Sequence, residues 1–274
     1  MKRKLAIVLG YFLVQIFPKR AKKLSMDGIT IEVRSNIFER LMKKALLHKA
    51  VARNDFECIA KYHQSYWDKK GESYFEKPYI SSILENFFIP YCKIVINLLK
   101  HELTQTENKY STLIEIGTGD GSVLNYLSKE LFEIKRFVGI DLSEEQVKKN
   151  NLQYKDNNKL NFVASDGFEW IRQHAKSNTV VLTSRGVLEY FTPTAITSFL
   201  KDLCAIGDFI FVAIEPTAVE HDFSKNPESQ IYGWEKSFSH NYIKLFKDAH
   251  FKIWHHSTFL HSKDINFNLI GAKT

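Results

Sequence analysis

Cysteine is scarce in this chain: Cys58, Cys92 and Cys204 stand far apart, with no C-x-x-C pair among them. That excludes a disulfide framework and a thiolate zinc site of the usual spacing, and it fits a reducing, cytoplasmic setting. Long apolar runs are missing as well. The most apolar stretch, LAIVLGYFLVQIF at 5–17, has Gln15 as its sole polar side chain and ends after thirteen residues. As a helix it would be about 20 Å long, short of the ~30 Å hydrocarbon core of a bilayer. A secretory leader is disfavoured too, because Pro18-Lys19-Arg20 stands where the small residues of a cleavage site belong. The ten histidines are scattered and form no metal triad. His255 and His256, adjacent on an expected strand, point to opposite faces, so no metal site is expected.

Acidic residues are absent from the N-terminal region. Residues 1–23 hold Lys2, Arg3, Lys4, Lys19, Arg20, Lys22 and Lys23 and no Asp or Glu. The whole excess of +7 resides there, and the rest of the chain is neutral. A neutral body offers little general attraction for phosphates, which argues against nucleic acid as a partner. Two readings remain for this arm. It is an interfacial anchor whose cations meet anionic lipid on the inner face of a membrane, or a helix docked on the protein's own surface.

What the chain has in quantity is core material. It is 44% hydrophobic, with 21 Phe and 12 Tyr, enough for a sizeable folded interior. Residues 24–110 read as a helical cap, with helical spacing over 37–52 and 79–103 and a break or kink at Pro90. Between them, YHQSYWDKKGESYF (62–75) mixes aromatic and polar residues and reads as a loop or lid. From residue 111 short apolar runs alternate with helical stretches. Strands are expected at 112–116, 136–141, 160–165, 179–184, 208–214, 251–259 and 265–271. Helices are expected at 121–131, 144–152, 167–176, 193–204 and 238–249. Such alternation implies right-handed crossovers and a parallel sheet covered on both faces. The last two strands are too close in sequence for a crossover, so they must form an antiparallel hairpin. The chain thus divides into an arm (1–23), a cap (24–110) and an α/β domain (111–274).

The strongest motif is LIEIGTGDG at 113–121, an apolar strand running into three alternate glycines and then a helix. Glycines let the backbone turn tightly and let a ligand approach the helix N-terminus. Asp141 follows twenty residues after Gly121, at the end of the next strand, where a carboxylate can take both hydroxyls of a ribose. Ser165-Asp166-Gly167 closes the third strand, placed to meet an adenine edge. A nicotinamide-dinucleotide site would show G-x-G-x-x-G, whereas this chain has G-x-G-x-G preceded by Glu115.

These residues resemble the class I S-adenosylmethionine-dependent methyltransferases over the whole of 111–274. The resemblance implies a seven-stranded Rossmann-like α/β sheet, mostly parallel with an antiparallel last strand, and S-adenosyl-L-methionine as cofactor. It also implies roles. Glu115, Gly117, Thr118, Gly119 and Gly121 would surround the methionine half and ribose. Asp141 with Leu142 would hold the ribose, and Asp166 with Ser165 and Gly167 the adenine. The segment 183–190, including Ser184, would face sulfonium and acceptor.

The acceptor is reached by exclusion. The fourth strand ends in TSRG rather than the Asn-Pro-Pro-aromatic pattern of amino-group methylation, and no Pro-Cys dipeptide supplies a nucleophile for cytosine. An oxygen of a glycan or other small molecule is the leading expectation. A membrane-lipid or quinone methyltransferase and a non-catalytic adenosyl-ligand-binding protein are the alternatives. An alcohol needs a base near its proton. His240 is the first candidate and Glu189 the second. Tyr232 and Trp234, in a long insert at 216–237, offer flat faces to a sugar or aromatic acceptor, and Tyr66 and Trp67 could cover the cofactor from the front. The short anchor-like start that ends in FPKRAKKL (17–24) resembles starts found in bacterial enzymes of surface-glycan assembly.

Overall fold

The computed structural model describes residues 2–29, 36–75, 83–106 and 109–274. Helices α1 (Lys2–Ile16), α2 (Pro18–Met26), α3 (Ile37–Ala52) and α4 (Phe56–Phe75) form the front of the molecule. A π-helical turn, Leu84–Cys92, then leads into α5 (Lys93–Gln105). Pro90 lies inside that turn, where its missing N–H and its ring disrupt the regular ladder. Residues 79–82 of the helix expected here lie outside the described residues.

The stretch 62–75 is not a loop: it belongs to α4. His63, Tyr66 and Trp67 recur at helical spacing, and His63 and Tyr66 are buried. The polar Asp68-Lys69 that suggested a loop is the solvent face of the same helix.

The second half follows as β1 (Thr112–Ile116), α6 (Ser122–Glu130), β2 (Arg136–Asp141), α7 (Glu144–Gln153), β3 (Leu160–Ala164), α8 (Gly167–His174), β4 (Thr179–Thr183), α9 (Pro193–Ile206) and β5 (Phe209–Ala218). A small hairpin comes next, β6 (Gln230–Tyr232) and β7 (Ser237–Ser239), before α10 (Tyr242–Asp248), β8 (Lys252–Ser262) and β9 (Ile265–Lys273). The helix expected at 238–249 therefore starts later, because Ser237–Ser239 pairs with Gln230–Tyr232. The expected insert is shorter too, since β5 runs on through Ala218 in register with β9.

The sheet order is β3-β2-β1-β4-β5-β9-β8. β1 to β5 are parallel, and β9 runs antiparallel between β5 and β8. Successive strand residues feed opposite cores. Leu113, Val180 and Ile210 meet Leu99 and Leu103 of α5 and Leu124 of α6 on one face. Ile114, Val181 and Phe211 meet Phe168 of α8, Phe199 of α9 and Phe246 of α10 on the other. The order reverses between β1 and β4, which opens a crevice at the carboxyl ends of the strands, the place where α/β sheets bind ligands.

Candidate active site

The crevice begins where β1 ends. Gly117, Gly119 and Gly121 all hold positive φ (68°, 54° and 72°), a conformation that side chains rarely adopt. A Cβ on Gly117 would stand 2.6 Å from Val187 Cγ2, and one on Gly121 would stand 2.7 Å from the Phe162 ring. The turn therefore has steric reasons for glycine as well as conformational ones. Beneath it, Glu115 is wholly buried, and Thr118 Oγ1 donates to its Oε2 at 2.7 Å. Burial pushes the Glu115 carboxyl up to about 8, partly offset by the Ser184 and Thr118 hydroxyls. Its Oε1 takes no hydrogen bond among the described residues.

Asp141 ends β2 with both oxygens on backbone donors, Oδ2 on Gly119 N–H and Oδ1 on Ser143 N–H, each at 3.0 Å. Burial raises its pKa. Each carboxylate oxygen has a second lone pair for a ligand hydroxyl. Asp166 caps α8 through Oδ1, which accepts from Phe168 N–H and Glu169 N–H, so the cap and the ligand roles are compatible: Oδ2 makes neither bond.

A single cavity of about 1030 Å³ occupies the crevice. Gly117, Thr118, Gly119, Asp141 and Leu142 line it, as do Ser165, Asp166, Gly167 and Ser184. Glu115 and Gly121 shape the turn from behind and are not part of the wall. Trp67 of α4 reaches the wall, whereas Tyr66 does not and instead supports the Trp67 ring edge-on at 5.5 Å.

At the other end of the cavity Ser184-Arg185-Gly186 leads from β4 into a 3-10 turn, Leu188–Tyr190. Glu215 of β5 holds this turn: its carboxylate accepts from Val187 N–H and Leu188 N–H at 3.0 Å each. Burial raises the Glu215 carboxyl to about 7. The turn presents Glu189 to the cavity, where Tyr232 OH donates to its Oε2 at 2.7 Å. Burial pushes Glu189 up to about 8. Tyr232 and Trp234 line the same wall.

His240 departs from expectation. It is wholly buried and lies outside the cavity wall, with Nδ1 2.7 Å from Ser229 Oγ and its ring stacked on Phe238. Burial lowers its pKa to about 3. A base must reach the acceptor's proton, and this ring does not face the space an acceptor would fill, so the structure corrects the first candidate to a core residue. A stability consequence follows. Below pH ~6.5 the unfolded chain protonates this histidine while the folded one does not. Its contribution is present above that pH and is lost as the pH falls toward about 3. His240→Gln should therefore melt with a flatter dependence on pH over that window than the unsubstituted protein, as read by thermal melts. An identical slope would contradict the buried, neutral assignment.

Glu215 was missed from sequence, whereas Arg185 falls within the segment 183–190 expected to face sulfonium and acceptor. A lone carboxylate in the apolar strand FIFVAIEP was the available signal for Glu215, because a buried charge needs partners. Arg185 lines the cavity with its guanidinium over the Phe87 ring at 5.0 Å. Among the described residues no group of three or more His, Cys, Asp or Glu could hold a metal ion.

Comparison with known proteins bears on the fold that carries this cavity. Residues 113–206 match the family model of a methyltransferase domain. The magnesium protoporphyrin IX methyltransferase of Synechocystis PCC 6803, solved with bound SAM and with bound SAH, superposes with a TM-score of 0.52 in both forms. Sequence identity is 13% and 14%, and the matches cover 79% of this chain and 97% and 100% of the others. A 1,6-didemethyltoxoflavin-N1-methyltransferase from Burkholderia thailandensis is 15% identical over 72% of this chain and 85% of its own, with a TM-score of 0.47. No curated protein sequence matches the chain. At such identities the likeness to solved structures is one of fold. Residues 113–206 thus match a methyltransferase domain, and the reversed β9 and the glycine turn are the fold features that frame it.

Proposed function

We propose that this protein transfers the methyl group of S-adenosyl-L-methionine to an oxygen of a small-molecule or glycan acceptor, with Glu189 receiving the acceptor's proton. The observation that carries the reading is the shared cavity: Gly119 and Asp141 line one end, and Glu189 with Tyr232 and Trp234 lines the other.

The residues fit the cofactor. Glu115 keeps a buried oxygen without a hydrogen bond among the described residues, and Asp141 and Asp166 line the cavity with acceptor capacity beyond their backbone partners. When bound, the cofactor supplies an electrophilic methyl on a sulfonium. Asp141 would take the ribose hydroxyls, Asp166 with Ser165 and Gly167 the adenine edge, and Thr118 and Leu142 the flanks. Ser184, the residue after β4, lines the same cavity.

At the acceptor end Glu189 supplies the chemistry. Glu189 would receive the hydroxyl proton as the acceptor oxygen takes the methyl group, and would pass that proton to water. A carboxyl held near 8 is a stronger base than an exposed one, and the Tyr232 hydroxyl fixes its orientation. Trp67 and Trp234 line the cavity and would give an acceptor flat faces to align on.

Two measurements test this reading. S-adenosylhomocysteine at a hundred times its Kd should stabilise the fold by about 2.7 kcal/mol, seen as a rise in melting temperature. Methyl-labelled cofactor offered to a panel of glycosides, phenols and amines should label hydroxyl compounds. Label on amines alone would overturn the oxygen assignment.

A further inference from the structure

Helix α1 is docked on the protein and still presents an apolar surface. Gly10, Tyr11 and Val14 face α3. A Cβ on Gly10 would stand 2.1 Å from Leu41 O, and Tyr11 OH lies 3.0 Å from His48 Nδ1. Val14 packs with Met42 against the same core. At about 100° per residue, Leu5, Val8, Leu9, Phe12 and Ile16 fall together on the opposite side. All are exposed, Val8 by 63% and Phe12 by 60%. Phe17, at the junction with α2, is exposed as well, and so are Ile37 and Phe38 in the first turn of α3. Monomers in water rarely leave so contiguous an apolar ridge uncovered.

The charges around the ridge name its occupant. Lys4, Lys19, Lys22 and Lys23 are exposed, and Lys2–Met26 contains no Asp or Glu. Arg20 pairs with Glu39 of α3, which ties α2 to the same platform. A second copy set ridge to ridge would bring two cationic clusters together with no acid within α1 or α2 to offset them. An anionic bilayer surface accepts both features, apolar side chains at the acyl boundary and lysines among the headgroups. No helix among the described residues is long and apolar enough to cross a membrane, so the ridge would lie in the interface.

We propose that the exposed face of α1, with the lysines of α2, is a docking surface for the anionic face of a lipid bilayer. The close seat of Gly10 on α3 makes it a rigid foot rather than a tethered anchor: the domain would approach the membrane in one orientation. The inference does not depend on the methyl-transfer reading, and its test involves no turnover.

The full chain should float with vesicles of phosphatidylcholine and phosphatidylglycerol and float at least tenfold less with phosphatidylcholine alone. Leu5→Ser/Val8→Ser/Phe12→Ser changes only exposed positions, so its melting temperature should match the parent while flotation falls at least tenfold. Lys19→Gln/Lys22→Gln/Lys23→Gln should lose the preference for anionic vesicles, as should the parent in high salt. The proposal is overturned if the parent does not float, or if the triple serine variant floats like the parent. It is equally overturned if light scattering shows a dimer that the triple serine variant abolishes, because the ridge would then be a contact between copies.

Discussion

Glu189→Gln is expected to cut turnover by ~10²–10⁴-fold, the usual contribution of a positioned base, while leaving the Kd for S-adenosylhomocysteine unchanged. Glutamine can still accept the Tyr232 hydroxyl's hydrogen bond, so the acceptor wall should keep its shape. The pH profile separates a base from a mere spacer. The ionised form is the active one, so the parent's rate should rise with pH and level above about 8. The glutamine variant's residual rate should be flat across that range. Stability has the opposite sign. The folded state holds Glu189 protonated up to about 8, whereas the unfolded chain ionises from ~4.5. Its contribution is therefore complete below ~4.5 and is lost as the pH climbs through about 8, and Glu189→Gln should remove that loss. If the variant keeps more than half of the parent's rate, alignment alone carries catalysis and the proton leaves directly to water.

Asp141→Ala should weaken S-adenosylhomocysteine binding at least tenfold by calorimetry. Two hydrogen bonds from ribose hydroxyls to a charged carboxylate are each worth ~1.5–3 kcal/mol. Asp141 also accepts from Gly119 N–H and Ser143 N–H, so alanine would loosen the glycine turn as well. Asp141→Asn keeps acceptor capacity for one of these bonds and separates the two effects. It sets an amide N–H against the other backbone donor, so it should melt between the parent and the alanine variant and lose part of the affinity. An unchanged Kd in the alanine variant would take the ribose away from Asp141.

The sheet was legible because its central strands β1, β2 and β4 are short, apolar and buried, with helical stretches between the parallel strands. β1 and β2 fall at the expected residues, and the reversed β9 follows from the short gap after β8. The cofactor end was legible for a related reason: glycines at positive φ and carboxylates at strand ends leave local marks in sequence. The acceptor end was not. Glu215, Tyr232 and Glu189 come together only through the pairing of β5 with β9 and the folding back of β6 and β7. His240 illustrates the difficulty. Its place at the start of the helix expected at 238–249 made it the first candidate base, yet α10 begins at Tyr242 with Asn241 as its cap, through Lys244 N–H, and His240 is buried. The α4 reading failed because charged residues beyond Trp67 masked an amphipathic period.

The position of β9 sets the order in which the molecule can be made. Ile210 pairs with Lys273 and Ala218 with Ile265, so β5 acquires its second neighbour only when the final strand is available. Until then β5 and β8 each leave a ladder edge uncovered, and uncovered edges recruit other chains. Contacts so distant in sequence also form late in folding. During synthesis the front helices and β1 to β4 therefore precede a sheet that cannot close. A chain truncated before β9 should accumulate in inclusion bodies instead of yielding a weak but soluble enzyme.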